Sequence, residues 1–227
     1  DSAYQHDDFL LFKNTIKDKC YDLFVLGMSG LGFNSISNNS FPGQLKEIDK
    51  SSHEVFKTFK DINFKIKKPL SLMLSGNYFL IKNFLNSTSK YQKIYMVGLS
   101  GGGWYTTFLS SIITDINSSF SIAGTSPLIF QANVLDNYGD WEQNSSEVYK
   151  ELNYVDLYLL STYDENFNKT RKHYQIYNSG DPCCFKIDTS TKMKKIFEKL
   201  NIKNFDIIIW KNDKHSILPQ QLIKLLK

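Results

Sequence analysis

The sequence predicts an α/β fold built on a mostly parallel sheet that is flanked by helices. In the second half of the chain, apolar runs of strand length alternate with segments whose apolar residues recur at helical spacing. A glycine-rich turn, 98–103, joins one such strand to one such helix. Because neighbouring parallel strands need a crossover connection, this alternation favours a parallel sheet with helices on both faces.

The N-terminal part of the chain gives one clear strand signal. Residues 21–26 form a hydrophobic run that ends at the glycines of 27–32, which predicts a strand followed by a turn. Residues 33–90 carry helical patterns that are most apolar over 70–85, and no strand is assigned there.

From residue 93 onward the elements are predicted in regular alternation. The predicted strands are 93–97, 120–124, 174–178 and 205–210. The predicted helices are 104–113, 193–200 and 218–226. The run 205–210 is the strongest strand signal in the chain.

The length of 227 residues predicts a single domain over 1–227, large enough to bury about 70% of the surface of its unfolded chain. Residues 128–172 interrupt the alternation of strands and helices. We interpret them as an inserted, cap-like segment before the strand 174–178, with a helix over 149–160.

Ser100 is the candidate nucleophile, at the centre of a Gly-x-Ser-x-Gly turn between a strand and a helix. That context raises a serine above the sheet edge, in a sparsely populated backbone conformation that requires small neighbours. The small neighbours are Gly98, Gly101, Gly102 and Gly103. A phosphate-binding loop is a poorer interpretation, because neither GxxxxGK[ST] nor GxGxxG occurs here.

His215 is the candidate general base, since a serine hydroxyl needs a base to become nucleophilic at neutral pH. It lies on a polar loop between the last predicted strand and the C-terminal helix. His6 falls in the polar N-terminal segment, His53 at a helix start, and His173 at the beginning of the strand 174–178.

Asp181 is the candidate acid, on the loop after the strand that precedes the base. The alternative is an ordinary turn aspartate, since its neighbours are glycine and proline. Asp188 is the competing acid, whereas Asp206 falls inside a strand and Asp213 is only two residues from the base.

The order Ser100, Asp181, His215, each after a predicted strand, resembles that of the α/β-hydrolase superfamily and its serine esterases. The resemblance runs from about residue 22 to the C-terminus. It implies that the serine attacks an acyl carbonyl, that the histidine accepts and returns its proton, and that the aspartate orients the imidazole. Water then hydrolyses the acyl-enzyme, and no cofactor is expected. Peptidases and thioesterases use the same triad, and a non-catalytic binding protein with this fold is the alternative from another class.

The resemblance also implies an oxyanion hole made of backbone amides. Gly101 would supply one donor, and Met28 or Ser29 on the glycine loop after 21–26 would supply the second. The usual His-Gly pattern is absent from that loop, and 1–20 has no counterpart of two further strands that the family places earlier. The chain is therefore expected to be a trimmed fold or to lack an N-terminal portion.

Trp104 and Trp141 are candidates for substrate binding, with ordinary core packing as the alternative. They lead us to expect a small-molecule or glycan ester with a small acyl group such as acetate. Asp140 and Glu142 also fit a glycosidase pair, although neighbouring carboxylates on one loop are more commonly solvated or binding groups.

Composition excludes several other classes. The net charge is +4 without a block of basic residues interleaved with aromatics, so no nucleic-acid partner is expected. No apolar run approaches the roughly 18 residues of a transmembrane span. The first residue is Asp1, which is compatible with a cleaved export signal. The sequence does not indicate an oligomeric state.

The chain has three cysteines, of which Cys183 and Cys184 are adjacent. Two buried thiols are the first expectation for that pair and a disulfide near the acid is the second, with Cys20 as a third partner only if the fold brings it close. No metal site is expected, because neither Cys-x-x-Cys nor His-Glu-x-x-His spacing occurs.

Overall fold

The computed structural model describes residues 7–28, 69–87, 91–131, 140–164, 170–185 and 187–226. The helices are α1 (Asp7–Ile16), α2 (Pro69–Ser87), α3 (Gly101–Ile112), α4 (Leu128–Gln131), α5 (Trp141–Asn144), α6 (Ser146–Tyr149), α7 (Tyr154–Thr162), α8 (Ile187–Leu200) and α9 (Pro219–Leu225). The strands are β1 (Tyr95–Leu99), β2 (Ser118–Ile122), β3 (Lys172–Asn178) and β4 (Phe205–Trp210).

The chain divides into two compact units. The first comprises Asp1–Asn83, Asp140–Glu142 and Pro219–Lys227, and the second comprises Phe84–Gly139 and Gln143–Leu218. A compact unit is not by itself an independently folding domain, so the single domain over 1–227 stays a prediction.

In the first unit, α1 packs against α9 and the segment 17–28 is irregular. The strand predicted at 21–26 is wrong for this structure, because none of the described strands pairs with that segment. Tyr21 instead donates its hydroxyl to the carbonyl of Leu226 at 3.2 Å, and the side chain of Asn77 donates to the carbonyl of Gly27 at 3.1 Å. Hydrophobicity alone does not make a strand when no neighbouring strand satisfies the backbone.

The second unit contains a four-stranded sheet in the order β1-β2-β3-β4, and every neighbouring pair is parallel. Helices connect the strands, so the α/β fold class with a parallel sheet flanked by helices is confirmed. Each strand predicted from residue 93 onward overlaps an observed strand: 205–210 coincides with β4, and every end that differs in the other three strands is shifted by two residues.

The two faces of the sheet differ in polarity. Val97, Phe120 and Tyr174 lie level across three strands, and the rings of Phe120 and Tyr174 stack with centroids 5.0 Å apart. The residues one position away, Ser119 and His173, point to the opposite face and are buried, as period-two alternation requires. At these positions one face is therefore apolar, and the other carries buried polar side chains.

The described part of the predicted insert 128–172 consists of the short helices α4 to α7. The helix predicted over 149–160 begins later, because the side chain of Asn153 accepts from the amides of Val155 and Asp156. The Asp156 carboxylate accepts from the amide of Asn153 in return, which completes a capping box. Helix α7 then packs on α3, so this part of the segment joins the core of the second unit.

Hydrogen bonds from the side chain of Arg171 connect the ends of the helices to the sheet. Its guanidinium is buried and donates to the carbonyls of Ile116, Leu160, Tyr163, Ser110 and Ile113. These acceptors include the last turns of α3 and α7, where carbonyls lack helical partners. Desolvation lowers the pKa of this arginine from its ordinary value.

Of the helices described, none combines the length and the apolar character that crossing a bilayer requires.

Candidate active site

Ser100 lies between β1 and α3 with φ 56° and ψ −122°, a backbone conformation that residues with a Cβ rarely adopt. Its amide donates to the carbonyl of Ile122 at 2.8 Å, and its own carbonyl accepts from the amide of Trp104 at 3.0 Å. The end of β2 and the first turn of α3 therefore hold the strained residue from both sides. This is the turn geometry that the Gly-x-Ser-x-Gly pattern predicts.

The glycines around Ser100 permit this turn by close backbone contact. A Cβ on Gly98 would overlap the carbonyl of Gly102, and a Cβ on Gly103 would lie 2.8 Å from the Cα of Gly124. The requirement for small residues at 98 and 103 is thereby confirmed. Gly102 differs, because a Cβ there would have no described heavy atom within 4 Å.

Asp181 and His215 form a hydrogen-bonded pair on the loops that follow β3 and β4. The imidazole Nδ1 and the carboxylate Oδ2 are 2.8 Å apart, and the side chains are 23% exposed for His215 and 1% for Asp181. The second carboxylate oxygen, Oδ1, accepts from the amide of Cys183 at 2.8 Å and from that of Cys184 at 3.3 Å. An ionised carboxylate only accepts, so Nδ1 carries a proton, and Nε2 of the neutral ring is left as the acceptor.

Backbone contacts between the two loops set this distance. Ser179 donates its amide to Trp210 at 2.9 Å, and Gly180 donates to Asn212 at 2.7 Å. A Cβ on Gly180 would lie 2.9 Å from the Cα of Asp213, so the loops touch through their main chains. Because of this close approach, the positions of the acid and the base depend little on flexible side chains.

The other aspartates considered as acids have different surroundings. Asp188 lies in the first turn of α8, where a carboxylate complements the helix dipole. Asp206 is within β4 and accepts from the amide of Ile207 at 2.7 Å. Asp213 packs against Gly180, as described above. Among the described aspartates, Asp181 is the one bonded to His215.

Ser100, Asp181 and His215 all follow the carboxyl ends of strands in one parallel sheet, so they share the same edge. This edge is where open α/β sheets place their ligands. Strand β2 separates the serine strand from the acid strand. The structure thus bonds the acid to the base and places the serine at the same edge.

Gly101 is buried as the first residue of α3, and its amide belongs to the first turn, which has no intrahelical acceptor. It stays our prediction for the first oxyanion donor. Met28, proposed for the second, is in the irregular segment of the other compact unit. Ser29, the other choice, lies outside the described residues.

The aromatic candidates for substrate binding are not both accessible. Trp104 is 0% exposed, and its indole N–H donates to the Tyr149 hydroxyl at 3.0 Å while its ring contacts Phe108. Core packing is the role that this structure gives it, so Trp104 is not retained in the site. Trp141 lies in α5, and its side chain is outside what the structure describes.

The adjacent cysteines Cys183 and Cys184 form a disulfide, and Cys20 is an exposed free cysteine. The first expectation, two buried thiols, is wrong, because Cys183 is exposed and the two sulfurs are bonded to each other. The second expectation, a disulfide near the acid, describes the structure, since both cysteine amides donate to Asp181.

A buried polar network lies under α3 and was not predicted from the sequence. The Gln175 amide N–H₂ donates to His173 Nε2 at 2.8 Å and to Thr107 Oγ1 at 3.1 Å, and its oxygen accepts from Thr125 Oγ1 at 3.0 Å. His173 Nδ1 must therefore carry the ring proton, which it donates to Ser119 Oγ at 2.6 Å. Complete burial and, to a smaller extent, the charge of Arg171 lower the pKa of His173 to about 3.

Polar residues at alternate positions of a strand, such as those at 173 and 175, normally indicate a solvated face. Here their partners come from β2, α3 and the loop after β2, which no local pattern connects. Burial in the same cluster raises the pKa values of Tyr158 and Tyr177 above their ordinary value. The network is a structural support beneath the turn, since Thr107 donates to the carbonyl of Gly103 at 3.2 Å.

Comparison with known proteins found no matching protein-family profile and no matching curated sequence. Solved structures of the α/β-hydrolase type are similar to this chain. The acylaminoacyl peptidase of Pyrococcus horikoshii is 18% identical, with 64% of this chain and 24% of the peptidase covered and a TM-score of 0.43. The methylesterase BT1017 is 15% identical, with 69% and 34% covered and a TM-score of 0.45.

Acyl-protein thioesterase 2 of Zea mays is 10% identical, with 68% of this chain and 62% of that protein covered and a TM-score of 0.41. The chain thus spans about a quarter of the peptidase, a third of the methylesterase and three fifths of the thioesterase. The function proposed below is therefore argued from the residues of the site and not from these structural similarities.

Proposed function

We propose that this protein is a serine hydrolase that cleaves a carboxylic ester through an acyl-enzyme. The observation that carries the proposal is the bond between His215 and Asp181, at the sheet edge that also holds Ser100 in its strained turn. A buried carboxylate with both oxygens satisfied, bonded to a partly exposed imidazole, is the arrangement that fixes a general base in one tautomer.

In the proposed mechanism, His215 Nε2 takes the hydroxyl proton of Ser100 as the serine oxygen attacks the acyl carbonyl. Asp181 stabilises the resulting imidazolium through its bond to Nδ1. The imidazolium then protonates the leaving alkoxide, and a water molecule, deprotonated by the same nitrogen, releases the acid. This mechanism requires a contact between Ser100 Oγ and His215 Nε2, which is part of the proposal.

The developing oxyanion needs amide donors placed before the reaction begins. We assign the first to Gly101, whose amide is at the N-terminus of α3 next to the nucleophile. Such a donor benefits from the positive end of the helix dipole as well as from its own hydrogen bond. Met28 or Ser29 remains the predicted source of the second donor.

For the substrate we propose an ester with a small acyl group, on a small molecule or a glycan. The glycan part of this proposal rests on Trp141, since Trp104 is in the core. Peptide and thioester substrates are the alternatives, because the same acid–base pair serves those acyl transfers.

The test is hydrolysis of p-nitrophenyl esters from acetate to decanoate, together with a thioester and a peptide anilide. We expect the acetate to be hydrolysed with the highest kcat/KM. Asp181→Asn should lower kcat by about 10⁴-fold, because the amide stabilises the wrong tautomer of the base. The matched control is Asp188→Asn, which should keep the wild-type rate. A loss of rate in the control with retention in Asp181→Asn would refute the acid assignment.

A further inference from the structure

A cluster of potential metal ligands lies beside the acid–base pair. The sulfurs of Cys183 and Cys184 and one ring nitrogen of His215 all lie within 4.8 Å of one another. Cys183 is exposed and the other two residues are partly exposed, so an ion can reach them from solvent. Sequence spacing could not reveal the cluster, because its third member comes from the loop after the next strand.

We propose that Cys183, Cys184 and His215 form a binding site for a soft d¹⁰ divalent cation such as Zn²⁺ when the two cysteines are reduced. Two thiolates and an imidazole are a donor set that zinc prefers, and a water molecule would complete four-coordination. In the disulfide form the sulfurs lack the thiolate charge that binds a cation, so the oxidised protein does not hold the ion.

The positions of the three ligands are fixed by contacts other than the disulfide. The backbone amides of both cysteines donate to Asp181 Oδ1, while its Oδ2 holds His215. These hydrogen bonds do not involve the sulfur atoms, so they persist when the disulfide is opened. The aspartate thus keeps both loops together, and the reduced site is already assembled before the cation arrives.

Two balanced steps convert the oxidised protein to the metal-bound one. A dithiol reductant first opens the S–S bond: its two thiols become a cyclic disulfide, and each cysteine gains one electron and one proton. The divalent cation then displaces those two protons from sulfur and forms two metal–thiolate bonds. His215 contributes a neutral ring nitrogen to the cation.

Both nitrogens of His215 are already required by the proposed hydrolysis. Nδ1 is bonded to Asp181, and Nε2 accepts the serine proton in the proposed mechanism. Because Asp181 holds Nδ1 in the assembled site, the cation takes Nε2 and removes the acceptor of the serine proton. The inhibition rests on the proposed function, whereas the metal site itself does not. Reduction followed by metal uptake would thus switch the hydrolase off.

The test is a Cd²⁺ titration of the full-length chain carrying Cys20→Ser, reduced with dithiothreitol and desalted under anaerobic conditions. We expect one Cd²⁺ per chain, with the ultraviolet charge-transfer absorption of cadmium–thiolate bonds, and no such signal from the oxidised protein. Cys183→Ala, at an exposed position, should abolish one-to-one binding. His215→Gln should weaken it by about tenfold or more, since even an outer-shell partner contributes that much to affinity.

Two results would overturn the proposal: no thiolate absorption in the reduced protein, or an affinity that His215→Gln leaves unchanged. A parallel assay of ester hydrolysis separates this inference from the proposed function. If Cd²⁺ binds as expected but neither redox form hydrolyses esters, the metal site stands and the hydrolase assignment fails. If Zn²⁺ inhibits the reduced form alone, the two proposals support each other.

Discussion

A Cβ atom on Gly98 would overlap the main-chain carbonyl of Gly102, so the end of strand β1 and the first turn of α3 are in close backbone contact. This contact turns the chain sharply enough to place Ser100 above the end of the sheet. The strained backbone conformation of Ser100 therefore depends on the absence of a side chain at Gly98.

Substitution at Gly98 should disrupt this turn. We expect Gly98→Ala to lower the free energy of unfolding by about 3 kcal/mol or more, because its methyl group meets rigid backbone. Gly102→Ala is the matched control, since no heavy atom of the described residues lies within 4 Å of its Cβ, and it should stay within about 1 kcal/mol of the wild type. Urea denaturation measures both. Equal effects of the two substitutions would contradict the close approach at Gly98.

The conformation of Ser100 gives a prediction about stability that is independent of catalysis. Ser100→Gly and Ser100→Ala should both be inactive, but the glycine variant should be more stable by about 1 kcal/mol. Glycine adopts φ 56° without a Cβ penalty, whereas alanine keeps the strain. Thermal unfolding of the two variants decides the matter, and identical midpoints would show that the turn is not strained.

His173 should make stability fall in acid. Its folded pKa is about 3, against an ordinary value of 6.5 for an exposed histidine. Between these pH values the unfolded chain binds a proton that the folded protein excludes. This group therefore lowers the free energy of unfolding by about 1.4 kcal/mol for each unit that the pH falls below 6.5. Above 6.5 the histidine is neutral in both states and contributes no pH dependence.

The measurement is urea denaturation of the wild type and His173→Gln from pH 7.5 to pH 4.5. The difference between their unfolding free energies should be constant near pH 7 and should shift steadily in favour of the variant below 6.5. A difference that stays flat over the whole range would mean that His173 has the same pKa in the folded protein as in the unfolded chain.

Arg171 should be a major contributor to stability although it lies outside the site. We expect Arg171→Lys to lower the free energy of unfolding by about 3 kcal/mol, since an ammonium cannot reach five separate carbonyls and leaves several unsatisfied. Lys172→Gln, at the neighbouring exposed position, is the control and should change stability by less than about 0.5 kcal/mol. Comparable losses in both variants would rule out a special role for Arg171.

The sequence predicts the sheet edge that carries Ser100, Asp181 and His215 better than it predicts the interior. Ser100, Asp181 and His215 each follow a strand with strong apolar character, and the order of parallel strands brings such positions to one edge. The predicted strands therefore placed Asp181 and His215 on neighbouring loops, and the structure selects Asp181 over the competing Asp188 as the partner of the histidine.

Other features depend on contacts between distant segments and leave no local pattern. The strand expected at 21–26 lacks a described neighbour to pair with, whatever its hydrophobicity. Trp104 was a candidate for substrate binding, but its side chain is 0% exposed and donates a hydrogen bond to Tyr149. The partners of His173 and Gln175 come from β2, α3 and the loop after β2, so the burial of these two residues could not be inferred from their own strand.

The central claim is that Ser100 is an activated nucleophile, and intact-protein mass after treatment with a fluorophosphonate tests it most directly. We expect one phosphonyl adduct per chain, mapped to Ser100 by peptide digestion and absent from Ser100→Ala. Slower labelling of Asp181→Asn would show that the acid–base pair supplies the activation. If folded wild-type protein formed no adduct, or if Ser100→Ala were labelled equally, the serine hydrolase assignment would be contradicted.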